Sequence, residues 1–327
     1  MTVLYSLVIP HFNDAARLER LLSSVPVTRD DVEVITVDDC SPDHKALEVM
    51  RAAWPQVRWL STPENAGAGV ARNIGLDAAQ GRWLVFADSD DEFLPGAFDI
   101  FDRVLRADDE LVYFLAEAVQ EIDGSPSVRS ERMNELVMAY LASPNEEMLQ
   151  RLQLQHVVPW AKVYSRSFIE AHELRFDPVR LSNDVAFNVL AAVQARRVRA
   201  EAAAVYRVYC RAGSLTMDAS AEDLLARLGV LGRLNDRLRD LGVRERMHAA
   251  SYIARALRFG PLVWVKVFRL MLRHEMLAVT LRRLSPREVW RFILWSRQSR
   301  AERQRLETRV GTLTKRSQGR SDDRGPR

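Results

Sequence analysis

Two aspartates separated by a single serine follow a short apolar stretch in the first third of the chain. The stretch Trp83–Phe86 is aromatic and aliphatic throughout, which is typical of a buried strand. Asp88 and Asp90 come soon after it, and carboxylate oxygens are the ligands that Mg²⁺ and Mn²⁺ prefer. On its own the pair could equally be an acidic turn before a helix, because short motifs have many chance matches. The pair therefore predicts a cation site only if the fold brings other polar groups close to it.

Polar residues also follow the two strands predicted before this one. Residues 4–9 form an apolar run that Pro10 closes, and residues 32–37 form a second run that ends near Asp39. Strands that alternate with helices through short loops predict a parallel sheet with right-handed crossovers. The carboxyl ends of such strands lie at one edge of the sheet, where a nucleotide crevice forms. We therefore expect Asp39 to accept hydrogen bonds from a pyrimidine and Asp88 to accept them from ribose hydroxyls.

A turn with two glycines introduces the helix that precedes Trp83. Gly67 and Gly69 let the backbone approach a ligand closely, and the N-terminus of a helix favours an anion. Arg72, in the first turn of this helix, could pair with phosphate oxygens. It could also be an ordinary ion-pair partner at the surface.

Four motifs occur in a fixed order in this part of the chain. They are LVIPHFN at 7–13, VDDCSPD at 37–43, NAGAGVARNIG at 65–75 and FADSDD at 86–91. Together they resemble the inverting glycosyltransferases of family two, and a match of four ordered motifs is far more specific than any one of them. The resemblance implies an α/β protein with the GT-A nucleotide-diphospho-sugar transferase fold, a mostly parallel sheet flanked by helices.

The resemblance also implies a nucleotide-sugar donor, most often a UDP-sugar. Four residues are expected to border its base or its diphosphate: Pro10, Phe12, Asp39 and Arg72. Asp88 would contact the ribose, and Asp90 would hold a Mn²⁺ or Mg²⁺ ion that bridges the diphosphate. Such an ion stabilises the negative charge that develops on the leaving group. Asp91 could help to hold the metal, and is expected instead to cap the next helix.

A carboxylate further along the chain is the candidate base. An inverting displacement needs one group that deprotonates the acceptor hydroxyl as it attacks, and Asp184 precedes an apolar helix where the family usually has Glu-Asp. Asn183 replaces the Glu. Asp184 could also be the N-cap of that helix. Trp160 and Lys162, in a segment that resembles the one preceding the base in bacterial members, are expected with Asn183 to contact the acceptor.

A last segment of the resemblance covers residues 206–216. It resembles a segment that closes over the diphosphate in the family. Arg207 or Arg211 could neutralise the diphosphate, and Ser214 could donate a hydrogen bond to it. Both arginines could equally be surface charges.

Charge is distributed unevenly along the 327 residues, whose total is +3. Residues 1–243 carry 26 Lys and Arg against 37 Asp and Glu, a net of −11, and residues 244–327 carry 21 against 7, a net of +14. We expect a catalytic domain over 1–220, a basic helical region over 221–310 and a disordered tail over 311–327.

The predicted C-terminal helices are amphipathic. One side of the helix in 252–281 carries Trp264, Val267, Phe268, Met271 and Leu272, and a stripe on the other side carries Lys266, Arg269 and Arg273. Basic helices with tryptophan suit an anionic membrane surface. Packing on the catalytic part or on a partner subunit is the alternative. A nucleic-acid partner is not expected, because the first part of the chain is acidic and no recognition motif is present.

The compartment and the activity follow from these features. Two cysteines give no disulfide framework, the N-terminus lacks signal-peptide features, and no apolar run is long enough to span a bilayer. We therefore expect a cytoplasmic enzyme, with peripheral attachment to the inner face of the cell membrane as a further expectation. The predicted activity is inverting, metal-dependent hexosyl transfer to a polysaccharide or glycolipid hydroxyl. The alternative is a catalytically degenerate member that binds nucleotide or serves as a scaffold through its C-terminal helices.

Overall fold

The computed structural model describes residues 2–211 and 220–283. The described residues form two compact units. The first consists of 2–210 with 229–246, and the second of 211, 220–228 and 247–283. The expected boundary at residue 220 stays a prediction.

An eight-stranded mixed sheet is the framework of the first unit within the described residues. Its strands are β1 Tyr5–His11, β2 Val32–Asp38, β3 Arg58–Ser61, β4 Trp83–Phe86, β5 Glu92–Phe93, β6 Leu111–Gln120, β7 Lys162–Ser165 and β8 Val198–Cys210. The spatial order is β3-β2-β1-β4-β7-β6-β8-β5. The half made of β3, β2, β1 and β4 is parallel, as predicted. The other half is mixed, because β7 runs antiparallel to both of its neighbours.

The helices follow the alternation expected from the sequence. Those of the first unit are α1 Ala15–Ser23, α2 His44–Ala53, α3 Ala68–Ala78, α4 Ala97–Val104, α5 Glu131–Ala142, α6 Glu146–Gln155, α7 Arg166–Ala171 and α8 Val185–Gln194. The described residues from 220 to 283 contain helices only: α9 Ala221–Asp240, α10 Ala250–Ala256, a 3₁₀ turn at Leu257–Phe259, α11 Pro261–Arg273 and α12 Met276–Arg283. The expectation of a helical C-terminal extension is confirmed for these residues, while the rest of the expected helical region and the tail over 311–327 lie outside the described residues.

Burial on both faces explains why β1 and β4 read as continuous apolar runs. Every residue of both strands is buried. Helix α3 packs directly on β1, since a Cβ at Gly75 would lie only 2.4 Å from Val8 Cγ1. Only a residue without a side chain allows this close approach.

An aromatic cluster fixes the segment between α7 and α8 beneath the end of β4. The rings of Phe176 and Phe187 stack with centroids 4.0 Å apart, and both meet Phe86 edge-on at 5.0 and 5.5 Å. Aromatic contacts of this kind contribute about 0.5–1.5 kcal/mol each beyond the area they bury. The start of α8 is therefore held near the carboxyl end of β4.

Candidate active site

Strand register brings three polar loops to one edge of the sheet. His11 at the end of β1 pairs with Asp38 at the end of β2, and Phe86 at the end of β4 pairs with Val8 of β1. The loops that begin after His11, Asp38 and Phe86 therefore lie side by side. This is the arrangement predicted from the sequence.

Two of these loops hold non-glycine residues in the left-handed backbone region. Asn13 has φ 49° and Cys40 has φ 60°, a conformation that costs free energy and is concentrated at functional sites. The loops are joined by hydrogen bonds, since Asn13 N–H donates to Ser41 Oγ at 2.7 Å and Ser41 N–H donates to Asp38 Oδ2 at 3.0 Å. The edge of the sheet is thus held in one conformation.

Asp39 shapes the glycine turn before α3. Its Oδ1 accepts hydrogen bonds from Ala66 N–H at 2.9 Å and from the hydroxyl of Thr62 at 3.0 Å. Its Oδ2 accepts one from Gly67 N–H at 2.7 Å. Both oxygens keep further lone pairs, so the expected contact with a base stays a prediction beside this structural role.

Arg72 joins the end of β4 to the segment before α8. Its guanidinium forms an ion pair with the carboxylate of Asp88 and donates to Asn183 Oδ1 at 2.8 Å. Arg72 is only 5% exposed, and its carbon Cζ lies 5.3 Å from the ring centroid of Phe176. A buried guanidinium is stable only when paired and hydrogen-bonded, so Arg72 ties Asp88 to the residue next to Asp184.

Asp184 lies close enough to this ion pair for the charges of both residues to act on its carboxyl group. It is the N-cap residue of α8, yet its side chain makes no capping hydrogen bond, so the N-cap alternative is not supported by a bond. Desolvation raises the pKa of Asp184, and the charge of Asp88 adds to the rise, whereas Arg72 and Lys162 oppose it. A partly desolvated carboxylate with a raised pKa has the character of a general base.

The three acids after β4 differ in their surroundings. Asp88 and Asp90 are half-buried, and the carbonyl oxygen of Asp90 accepts a hydrogen bond from the guanidinium of Arg20. Asp91 is buried, with Oδ1 accepting from Tyr209 N–H at 2.9 Å. The expected helix cap is wrong, because α4 begins six residues later, after Gly96. Burial and the charges of Asp88 and Asp90 hold the pKa of Asp91 well above its usual range.

A metal ion at these acids would need ligands from the substrate as well as from the protein. The described residues contain no group of three or more His, Cys, Asp or Glu side chains placed to hold an ion. Mg²⁺ in particular is commonly held by one or two carboxylates together with substrate phosphates and waters. The charges of Asp88 and Asp90 both act on Asp91, so the three carboxyl groups lie close together after β4. The residues present therefore fit a cation carried in with a diphosphate.

Trp160 and Lys162 require a correction. Both are buried, at 3% and 1% exposure, and thus have almost no surface for an acceptor. Lys162 Nζ donates to the carbonyl of His156 at 2.7 Å and to Asn188 Oδ1 at 2.9 Å. Burial holds the pKa of Lys162 well below its usual range. Asn188 in turn donates through Nδ2 to the carbonyl of Asp184 at 2.8 Å, so Lys162 lies beneath the candidate base and supports its turn.

Trp160 acts through Tyr206. The two rings stack with centroids 6.0 Å apart and planes within 10°. The hydroxyl of Tyr206 accepts a hydrogen bond from Asp88 N–H at 2.9 Å. Trp160 therefore helps to position the turn that contains Asp88.

Arg207 forms ion pairs in the structure. Its guanidinium contacts Glu92 at 2.5 Å and Glu117 at 2.9 Å, which fits the surface-charge alternative, and a contact with the diphosphate stays a prediction. Arg211 is exposed just after β8 and stays a prediction. Ser214 lies outside the described residues.

The remaining predicted residues differ in exposure. Pro10 is buried within β1, whereas Phe12 is 47% exposed just beyond the end of that strand. An exposed aromatic ring beside the strand ends can stack on a base. Asn183 contacts Arg72 in the structure, and its contact with an acceptor stays a prediction.

For two residues that support the candidate site, the sequence analysis predicts no role. Asn188 is fully buried, and the signal in the sequence is an amide in the middle of an otherwise apolar run. Tyr206 had no signal beyond its place in a predicted segment. Its hydroxyl is useful only because β8 passes beside the turn after β4.

The fold and site define an α/β protein with polar loops at the ends of parallel strands, an ion pair between Arg72 and Asp88, and a carboxyl group, that of Asp184, on which both charges act. The model of the family described as "Glycosyl transferase family 2" matches residues 6–172. This is just over half of the chain, so the chain belongs to that family, and the resemblance found in the sequence is confirmed.

Two bacterial proteins are among the relatives of this chain. The succinoglycan biosynthesis protein ExoO of Rhizobium meliloti (strain 1021) is 29% identical over 216 residues, 64% of this chain and 61% of that protein. The putative glycosyltransferase EpsH of Bacillus subtilis (strain 168) is 31% identical over 180 residues, 54% of this chain and 50% of that protein. The chain thus spans about half to three fifths of the length of these curated relatives.

A solved structure supports the fold. The crystal structure of S. aureus TarS 1-349 in complex with UDP-GlcNAc superposes with a TM-score of 0.55 at 18% identity, covering 83% of this chain and 73% of that one. The GT-A fold predicted from the sequence is confirmed. None of the helices in the described part of the chain is both long and apolar enough to cross a membrane.

Proposed function

We propose that this protein transfers a hexosyl group from a nucleotide-sugar donor, a UDP-sugar in the first instance, to a hydroxyl of a polysaccharide or glycolipid acceptor, with inversion. Family membership supports the reaction class. The donor is suggested by the structural neighbour that was solved with UDP-GlcNAc, and the acceptor by relatives such as the succinoglycan protein.

The observation that carries the proposal is the bridge made by Arg72. One guanidinium contacts Asp88 at the end of β4 and Asn183 beside the candidate base. We therefore expect a donor whose ribose contacts Asp88 to lie within reach of Asp184. Positioning of this kind supplies a large part of enzymatic rate enhancement.

Each residue has a distinct task in the proposed reaction. Asp184 accepts the proton of the acceptor hydroxyl as its oxygen attacks the anomeric carbon from the face opposite the leaving group. Asp88 orients the donor through its ribose. Asp90 would hold Mn²⁺ or Mg²⁺, which supplies charge stabilisation for the leaving diphosphate. The proposed compartment is the cytoplasm, as the low cysteine count suggests.

Two substitutions separate binding from chemistry. Asp90→Ala is expected to abolish the Mn²⁺-dependent part of UDP binding. Asp184→Asn is expected to keep UDP affinity and to lower turnover by roughly 10²–10⁴-fold, the usual contribution of a general base. Isothermal titration calorimetry with UDP, with and without Mn²⁺, measures the first effect, and release of UDP from a panel of UDP-sugars measures the second.

Asp108→Asn is the matched control. It removes an exposed carboxylate that precedes β6, at the opposite edge of the sheet, and should change neither quantity. Metal-dependent UDP binding by Asp90→Ala equal to that of the unsubstituted protein would refute the metal role. UDP binding without turnover in the unsubstituted protein, for every donor and acceptor tried, would favour the degenerate alternative.

A further inference from the structure

Helix α11 exposes a large apolar surface in the second unit. Five of its apolar side chains are between 38% and 78% exposed: Leu262, Trp264, Val265, Phe268 and Leu272. Only Val267 and Met271 are buried, where α11 packs against α10 and α12. Contiguous exposed apolar patches are uncommon on soluble proteins and mark interaction surfaces.

The apolar residues that the sequence pattern predicts on one side of this helix form two groups in the structure, one buried and one exposed. Val267 and Met271 point into the second unit, while Trp264, Phe268 and Leu272 follow one another at intervals of four residues on the outer side. The rings of Trp264 and Phe268 stack with centroids 6.1 Å apart. The apolar stripe is thus a continuous, partly preformed surface.

Cations border this stripe along its length. At about 100° per residue, Arg269 and Arg273 lie next to Leu272 and Val265 around the helix. Lys266 follows on the same flank, and all three cations are exposed. The stretch of sequence that contains α11 is also basic, since residues 244–327 carry a net charge of +14. The exposed face therefore combines an aromatic stripe with a flanking row of positive charge.

We propose that α11 is a docking surface for an anionic lipid bilayer. The helix lies along the membrane plane, with the stripe of Trp264, Phe268 and Leu272 inserted among the acyl chains. Arg269 and Arg273 contact lipid phosphates from the flank, as is usual for amphipathic helices at an interface. Charge complementarity selects this occupant, because anionic headgroups neutralise the cationic row while the aromatic stripe leaves water. The proposal goes beyond the proposed function and is independent of the donor site.

The test is flotation of the full chain with vesicles. The protein is mixed with vesicles of phosphatidylcholine alone or with one third phosphatidylglycerol, at low and high salt. We expect binding to the anionic vesicles only, weakened by salt. The double variant Arg269→Gln/Arg273→Gln should reduce the partition coefficient about thirtyfold, since each cation near an anionic surface contributes a factor of about five.

Matched controls carry the same change elsewhere. Arg103→Gln/Arg196→Gln removes the same charge from exposed positions on the first unit and should retain binding. Phe268→Ser/Leu272→Ser should abolish flotation, and Met138→Ser, at an exposed apolar residue of α5, should not. Equal loss of binding in the two arginine pairs would overturn the proposal, because only net charge would then matter.

Thermal unfolding and light scattering test whether the exposed face of α11 is covered by another part of the chain or by a second copy instead of a membrane. A lower melting temperature for Phe268→Ser/Leu272→Ser than for Met138→Ser would show that the face is covered within the chain, and would overturn the proposal. A dimer that this variant dissociates would assign the face to a second copy and overturn it as well. UDP-sugar turnover on a water-soluble acceptor should be equal in all variants, so failure of the docking proposal leaves the proposed function intact.

Discussion

Gly69→Ala is the substitution that most directly tests how the base is positioned. A Cβ at this position in α3 would lie 2.4 Å from the carbonyl oxygen of Asp177 and 2.8 Å from Asn183 Cβ. Neither atom can rotate away, since one belongs to the backbone and the other is fixed to it. The segment from Asp177 to Asn183 must therefore retreat by about 1 Å to restore ordinary contact.

The consequences can be estimated from the same geometry. The hydrogen bond from Arg72 to Asn183, now 2.8 Å, would lengthen beyond bonding distance, and Asp184 would move with its neighbour. A displacement of about 1 Å can cost 10²-fold in rate, and overpacking costs about 1–3 kcal/mol of stability. In an unobstructed helix, the same change to alanine would instead stabilise by about 1 kcal/mol.

The assay compares Gly69→Ala with Gly81→Ala. A Cβ at Gly81 would lie 2.6 Å from Ser6 N, a similar clash with the backbone at the opposite end of β1. Both variants should lower the melting temperature, but only Gly69→Ala should lower kcat by about 10²-fold. UDP affinity should change much less. If Gly69→Ala keeps both its melting temperature and its kcat, the close packing of α3 against the base segment is refuted.

Two further predictions concern the support of the site. Tyr206→Phe removes the acceptor for Asp88 N–H and should raise the KM for the donor about fivefold, since one hydrogen bond contributes about 1 kcal/mol; an unchanged KM would mean that water replaces the hydroxyl. Because desolvation raises the pKa of Asp184 and only the ionised form accepts a proton, kcat should fall as the pH drops through that raised pKa. Lys162 lowers the pKa of Asp184, so Lys162→Met should move this acidic limb to higher pH. Tyr113→Phe, which removes a buried hydroxyl without a partner, is its control, and equal limbs in both variants would contradict the electrostatic link.

The strand ends were predictable because the signals are local. In β1, β2 and β4 a short apolar run stops abruptly at polar residues, and alternation with helices requires the runs to be parallel. The polar ends then share one edge whatever the details of packing. The positions of Asp39 and Asp88 follow from this rule alone.

The partners of the charged residues could not be predicted in the same way. Arg207 meets Glu92 and Glu117 across 115 and 90 positions of chain, and only the pairing of β8 with β5 and β6 creates these contacts. Lys162 begins a strand that is buried throughout. The resemblance of its segment predicts Lys162 to be an acceptor ligand, whereas in the structure its amine is bonded to the end of α6 and to α8.

Arg72 links two parts of the candidate site that are far apart in the chain. The sequence left open a phosphate ligand or a surface ion pair, and the structure has an ion pair that is buried. Its two partners, Asp88 after β4 and Asn183 before α8, are 16 and 111 positions away in the chain. A buried guanidinium that loses its partners is strongly destabilising, so Arg72 keeps both contacts. The distance between Asp88 and the segment before α8 is therefore fixed before any substrate binds. Preorganisation of this kind requires that substitutions at Arg72, Gly69 and Asn183 act on one shared quantity, the position of Asp184, and that their effects on kcat are therefore less than additive.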